Sequence, residues 1–348
     1  MGGTRSACAL IVCVACGGRP AIATDANGNH PGDPDAITND GVIGTGGDSG
    51  NGSNLGPHDL GTCAVFPTAS GSRNDYSYWN LDISGAAVDG SSNAYIASMS
   101  GGTSNVHPDF GSNPAYGIPF VVVPGTQPMM AMTFSESDES DPGPYPYPAN
   151  APIEAGSDRH VLVIDRDHCV LYETGVSIYH AATSSWSAYS GSVFDLHTGA
   201  LRTEGYTSAD ASGGPVFIGL ARFEEVAAGA IHHALRFTAN TTRHGYIHPA
   251  THYASTETST SIPPMGLRVR LKASACPGLL SGAGSTHPQS KVIVQALCTY
   301  GMILADNGSD FYISGTTDSR WNDNDLNYLK GIPGNDFEAI ATGTVTTN

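Results

Sequence analysis

The stretch "HVLVIDRDHCVLYE", residues 160 to 173, decides the fold class. Two apolar runs of strand length, rich in Val, Leu, Ile and Tyr, flank Arg166-Asp167-His168 and predict a β-hairpin turning at those three residues. The same signature repeats on both sides of it. "PFVVV" (119–123), "MMAMTF" (129–134), "GVSIYH" (175–180), "SVFDL" (192–196), "IHHALRFT" (231–238) and "GLRVRLKA" (266–273) are short β-branched or aromatic runs punctuated by Gly, Pro, Asn and Ser, and read as strands. Helical patterns are few: "SSNAYIASM" near residue 91, "ARFEEVAAG" near 221 and "SKVIVQALCTYG" from 290. The expected architecture is mainly β, a β-sandwich or barrel-like single domain over residues 62–348 with a few short helices.

The segment ahead of that domain has a different composition. Residues 1–23 carry Arg5 and then a short apolar run from Ala7 to Ala15, too short to span a bilayer, and read as a secretory signal. Two processing sites compete: Ala15-Cys16, as in a lipoprotein, and the small-residue pattern Ala21-Ile22-Ala23. Residues 24–61 contain no aromatic, Lys or Arg and are dominated by Gly, Asn, Asp and Pro, the composition of a disordered spacer. Together these imply a secreted protein or a cell-surface lipoprotein whose only membrane contact is a lipid on Cys16.

The chain has 15 Lys and Arg against 32 Asp and Glu, a formal net charge of −17. Such a surface repels a polyanion, which excludes nucleic acid as a natural partner. Of the seven cysteines, Cys8, Cys13 and Cys16 belong to the leader. Cys63, Cys169, Cys276 and Cys298 remain, none in C-x-x-C spacing, which speaks against zinc and for two disulfides. The favoured pairs are Cys276 with Cys298, which flank one loop and helix, and hence Cys63 with Cys169. No G-x-S-x-G elbow, H-E-x-x-H, P-loop or G-x-G-x-x-G turn is present, which weakens serine-hydrolase, zincin, kinase and dehydrogenase readings.

Two features bear on chemistry. "DESDPGPYPYP" (138–148) places Asp138, Glu139 and Asp141 ahead of alternating prolines and the tyrosines Tyr145 and Tyr147. Proline fixes φ and removes a donor, so an extended surface ribbon is expected, with acids for bond cleavage and an aromatic platform for a sugar face. The three acids are also oxygen donors suited to Ca²⁺. In "LRVRLK", Leu267, Val269 and Leu271 face one side of a strand while Arg268, Arg270 and Lys272 face the other, either as a salt-bridge ladder or as an anion-binding groove that Arg236 of "HALRFT" would extend. Asp195, Asp210 and Asp306, at strand ends or in Ser- and Gly-rich turns, are further acids that serve equally well as caps.

Read in order, "HPDFG", "DESDPGPYP", "DRHVLVID", "VFDL", "TSAD", "HALRFT", "MGLRVRLKA" and "YGMILADNGS" resemble an uncharacterised family of exported bacterial proteins from myxobacteria-like organisms, over roughly residues 63 to 340. The resemblance carries no catalytic residue. The expected function is a carbohydrate-active enzyme, a glycoside hydrolase acting on an extracellular polysaccharide. Asp138, Glu139, Asp141, Asp195 and Asp210 are its candidate acids, and Tyr145, Tyr147, Arg236, Arg268, Arg270 and Lys272 its substrate contacts. The alternatives are a uronate lyase, in which Arg or Lys neutralises the substrate carboxylate, and a non-catalytic module binding a glycan or a protein.

Overall fold

The computed structural model describes residues 59–60, 63 and 77–347. The expected secretory leader with Cys16 and nearly all of the expected spacer lie outside the described residues. Within them, no helix is long and apolar enough to cross a membrane.

Thirteen described strands fall into three sheets. The predicted hairpin forms the centre of one: β2 (Phe120–Val123), β4 (Val161–Asp165), β5 (Val170–Gly175) and β8 (Ser190–Asp195) lie in the order β2-β4-β5-β8. β4 and β5 are antiparallel, with Asp165 opposite Val170, and the Asp165 carboxylate closes the turn by accepting from the amides of Asp167 and His168, each at 3.1 Å. The largest sheet contains β1 (His107–Pro108), β9 (Leu235–Ala239), β10 (Arg268–Leu271), β11 (Met302–Asn307), β12 (Tyr312–Ile313) and β13 (Phe337–Ala339), in the order β1-β12-β9-β11-β10-β13. A third, three-stranded sheet has the order β3 (Ala131–Phe134), β7 (Ser185–Ala188), β6 (Ile178–His180).

Strand alternation stacks these sheets. In β4, Leu162 and Ile164 enter a core with Phe194, Phe217, Ala234 and Ile303, the last from the largest sheet. Val161 and Val163 point the other way, into a core with Trp186 of β7. The hairpin sheet is therefore the middle layer of a mainly β single domain. The far side of the largest sheet, with Leu235, Phe237, Val269 and Leu304, packs on the helices Ser92–Ser98 and Pro288–Thr299. Each fully buried Leu, Ile or Phe in these layers contributes roughly 1.5–3 kcal/mol.

Both expected disulfides are present, Cys63–Cys169 and Cys276–Cys298. The expected surface ribbon is not on the surface. Tyr145 and Tyr147 are fully buried between the middle and three-stranded sheets, where Tyr145 exchanges backbone hydrogen bonds with Met130 at 2.7 and 3.0 Å. The Tyr147 hydroxyl donates to the Val161 carbonyl at 2.9 Å and meets Thr174 Oγ1 at 3.1 Å. On an extended segment these two residues share a face, and two tyrosine rings offer more apolar area than any other part of the ribbon, so that face turns inward.

The cationic strand face is corrected in the same way. Alternation in "LRVRLK" holds, but Arg268 and Arg270 are 2% and 6% exposed and line no open groove. Residues 78–83 cross that face and offer carbonyls: Arg268 donates to the oxygens of Tyr78, Leu81 and Tyr300, and Arg270 to Ile83. Arg270 also pairs at 3.0 Å with Glu338, its register partner on β13, which is the ladder arrangement. Lys272 donates to the Asn335 carbonyl at 2.6 Å.

Candidate active-site cleft

One edge of the largest sheet gathers ionisable groups, and the register shows why. His107 lies opposite Tyr312, Tyr312 opposite Thr238, and Asp306 opposite Thr238. Partners in register share a face, as do residues two apart on a strand. One face thus carries His107, Asp109, Tyr312, Arg236, Thr238 and Asp306, while Phe110, Phe237, Leu304 and Ile313 point to the helix-covered core.

Asp306 reaches this face through an irregularity. Leu304 pairs with Phe237 but Asp306 pairs with Thr238, so one residue, Ala305, is extra on β11. Without it Asp306, two residues beyond Leu304, would point into the apolar core; the bulge re-aims it.

Arg236 sits at the centre, 4% exposed. Its guanidinium forks onto the Asp210 carboxylate with two bonds of 2.9 Å, donates to Ser314 Oγ, and approaches Asp306 Oδ2 at 3.8 Å. The Asp210 loop is held to the bulge by the Ser212 amide, which donates to the Ala305 carbonyl at 2.9 Å. A second wall comes from the segment entering β4. His160 Nδ1 lies 2.5 Å from Glu154 Oε2 and its Nε2 lies 2.9 Å from the Ala209 carbonyl, so both ring nitrogens face acceptors, as in an imidazolium. Beside them Val176, a β-branched residue at φ +54°, donates its amide to the Asp158 carbonyl at 2.7 Å. Such a conformation costs on the order of 1–3 kcal/mol and persists where the surroundings enforce it.

The electrostatics follow from this crowding. Burial opposes charge on His160, but the Glu154 carboxylate outweighs it and raises the imidazole to about 10. Burial likewise raises Glu154, and the His160 cation more than reverses that. Asp306 has no such partner to itself: burial, then the charge of Asp210, push it up to about 7 despite Arg236. Asp158 is raised by burial, with Glu154 adding and His160 opposing. Asp109 is solvent-exposed, and burial, with Glu154 second, raises its carboxyl. Five carboxylates, Asp109, Glu154, Asp158, Asp210 and Asp306, therefore surround two cations, Arg236 and His160.

Of the residues expected from sequence, Asp210 and Arg236 meet in this cluster as a buried ion pair. Asp141 and Asp195 meet elsewhere, on a recess of about 250 Å³ shared with Leu201, Arg202 and Tyr206. There Asp141 is ion-paired to Arg202 and accepts from the Val193 amide at 2.8 Å, and Asp195 accepts from the amides of His197 and Thr198 at 2.8 and 3.3 Å, as a turn residue does. Glu139 accepts from the Thr207 amide at 3.1 Å, and Asp138 is exposed on the turn Ser137–Glu139. Asp138, Glu139 and Asp141 do not close around a cation: among the described residues no three His, Cys, Asp or Glu side chains group as a metal-ligand set. Asp109, Glu154, Asp158 and His160 were not among the expected site residues. "HPDFG" and "ADNGS" read first as turns, and nothing in the spacing of Glu154 and His160 announces their pairing. No family model, curated protein or solved structure matches the chain.

Proposed function

We propose that the chain is a glycoside hydrolase acting on an extracellular glycan, with Asp306 protonating the leaving oxygen and Asp109 as the ionised carboxylate on the other side of the sugar. The observation that carries this reading is the bulge at Ala305, which takes a carboxyl group out of an apolar face and sets it beside Arg236 and Asp210, with Asp158 in electrostatic range. Glycosidic cleavage needs one acid that keeps its proton near neutral pH and one that does not, and environments that drive two carboxyls apart supply them. Burial and Asp210 hold the proton on Asp306. Asp109 is the solvent-exposed member and faces substrate; burial and Glu154 raise its carboxyl, but without the Asp210 charge that adds to burial at Asp306. Glu154 is committed to His160, and Asp210 to Arg236. The leader and spacer of the sequence are the reason for placing the substrate outside the cell.

A uronate lyase needs a cation directed at the substrate carboxylate. Arg236 is spent on Asp210, and the surplus of carboxylates repels an acidic sugar. The electrostatics therefore favour hydrolysis over elimination.

The test is release of new reducing ends by the purified protein from a panel of neutral, basic and acidic polysaccharides. Asp306→Asn, which mimics the protonated acid in shape but cannot transfer its proton, is expected to lower kcat at least 100-fold, on the order of 2.7 kcal/mol, with its urea midpoint retained. Asp109→Asn is expected to do the same. Full activity in Asp306→Asn, or no product from any polymer with the wild-type protein folded, would remove the reading.

A further inference from the structure

His107 and Tyr312 are register partners on β1 and β12, and their rings stack with centroids 4.2 Å apart and planes 13° from parallel. Both are half-buried, so the stack reaches solvent. Alternation puts Asp109, two residues beyond His107, on the same face of the sheet, and Ser314, two beyond Tyr312, accepts from Arg236. The stack thus lies on the same sheet face as Asp109 and the Arg236 cluster, on the two strands at that end of the sheet. Burial first, and the charge of Lys330 second, lower the His107 imidazole, so the pair presents neutral aromatic surface at neutral pH.

We infer that the His107–Tyr312 stack is a sugar subsite, on which an uncharged pyranose ring of the glycan lies against the aromatic pair next to Asp109. The C–H face of a pyranose matches a flat aromatic surface, while its hydroxyls reach the polar groups around it. Two half-exposed aromatics stacked on a sheet edge, with Asp109 next along the same face and Lys330 the cation near His107, suit a ring without net charge. The placement of the cleaved bond rests on the hydrolase reading; the subsite itself does not.

The experiment is affinity electrophoresis of the full secreted chain in gels containing laminarin, xylan, hydroxyethylcellulose or alginate, alongside reducing-end release from the same polymers. Wild-type protein and Asp306→Asn are expected to be retarded by at least one of the three neutral polymers and not selectively by alginate. Tyr312→Ala and His107→Ala are expected to bind that polymer at least tenfold more weakly, and Tyr312→Phe, which keeps the ring, as wild type. Circular dichroism and urea midpoints establish that each variant is folded, and Tyr312→Phe against His107→Ala decides the matter if Tyr312→Ala is not. Unchanged retardation of a folded Tyr312→Ala or His107→Ala, retardation by alginate alone, or no retardation of the wild type would overturn the subsite. Retardation that Tyr312→Ala or His107→Ala loses, with no reducing ends from the wild type, would keep the subsite and remove the hydrolase reading.

Discussion

Replacing Arg236 by Met tests the arrangement on which the cleft depends. The substitution keeps an unbranched chain but removes the fork on Asp210, whose side chain is 1% exposed, and the bond to Ser314. Removing one partner of a buried ion pair costs about 3–5 kcal/mol, because the remaining charge is left uncompensated. The protein can limit that cost by protonating Asp210. A raised carboxyl binds its proton more tightly in the folded than in the unfolded chain. The deficit relative to wild type is therefore small near pH 4, grows as pH rises through the raised value, and is complete above it. Urea unfolding followed by tryptophan fluorescence reports this, because Trp79, Trp186 and Trp321 are all buried. The pair Arg236→Met/Asp210→Leu should recover part of the loss, since replacing both partners by apolar groups leaves no orphan charge. A deficit below about 1 kcal/mol at pH 7, or one of equal size at pH 4 and pH 8, would refute the central role given to Arg236.

Other expectations follow from the same structure. With a substrate in hand, kcat/KM should fall as pH rises through about 7, where Asp306 loses its proton, and a profile flat to pH 9 would exclude it as the donor. Glu154→Gln should cost about 3 kcal/mol where the His160 pair is fully formed, between roughly pH 4.5 and 6.5. That cost should shrink as pH rises through about 10, where His160 loses its proton, and as it falls through the lowered Glu154 value; urea midpoints across that range check it. Tyr147→Phe should cost about 1 kcal/mol in urea unfolding and Tyr147→Ala about 3–5 kcal/mol, because this ring is core rather than a binding platform. Removing Cys276–Cys298, with a sequence separation of 22, should cost about 3 kcal/mol and removing Cys63–Cys169, with a separation of 106, about 5 kcal/mol; paired serine variants that reverse that order would contradict the loop-length argument.

The hairpin at residues 160–173 and its neighbouring strands were legible because short β-branched runs bounded by turn residues have few other uses. Both disulfides were also legible, once three cysteines were assigned to the leader. Period-2 alternation correctly grouped Arg268 with Arg270 and Tyr145 with Tyr147, but it says which side chains share a face and not what covers that face. Water and protein exchange places at both sites for that reason: residues 78–83 cover the arginines, and the three-stranded sheet covers the tyrosines. β7 (Ser185–Ala188) escaped because "SWSA" has one apolar residue large enough to register. In the cleft, Asp210 and Arg236 were singled out from local patterns, yet their contact joins residues 26 apart through tertiary structure. Asp306 was visible as a strand-end acid, but its direction depends on Ala305, an ordinary residue that carries no mark of a bulge. Glu154 and His160 stand at the two ends of one loop, and only the folded loop brings them into contact.

The bridge from Cys63 to Cys169 fastens the chain at residue 63 to the hairpin turn of the middle sheet. Every peptide bond between those two residues lies inside a covalent ring. A protease that cuts once within that span, outside the folded strands, nicks the molecule without releasing it, because whatever precedes Cys63 stays joined through sulfur to the sheet. Detachment in an oxidising environment then requires a cut ahead of residue 63, or reduction as well as a cut. A cut ahead of residue 63 and a cut inside the ring are therefore different events: the first separates the preceding segment from the folded domain, the second leaves the two joined.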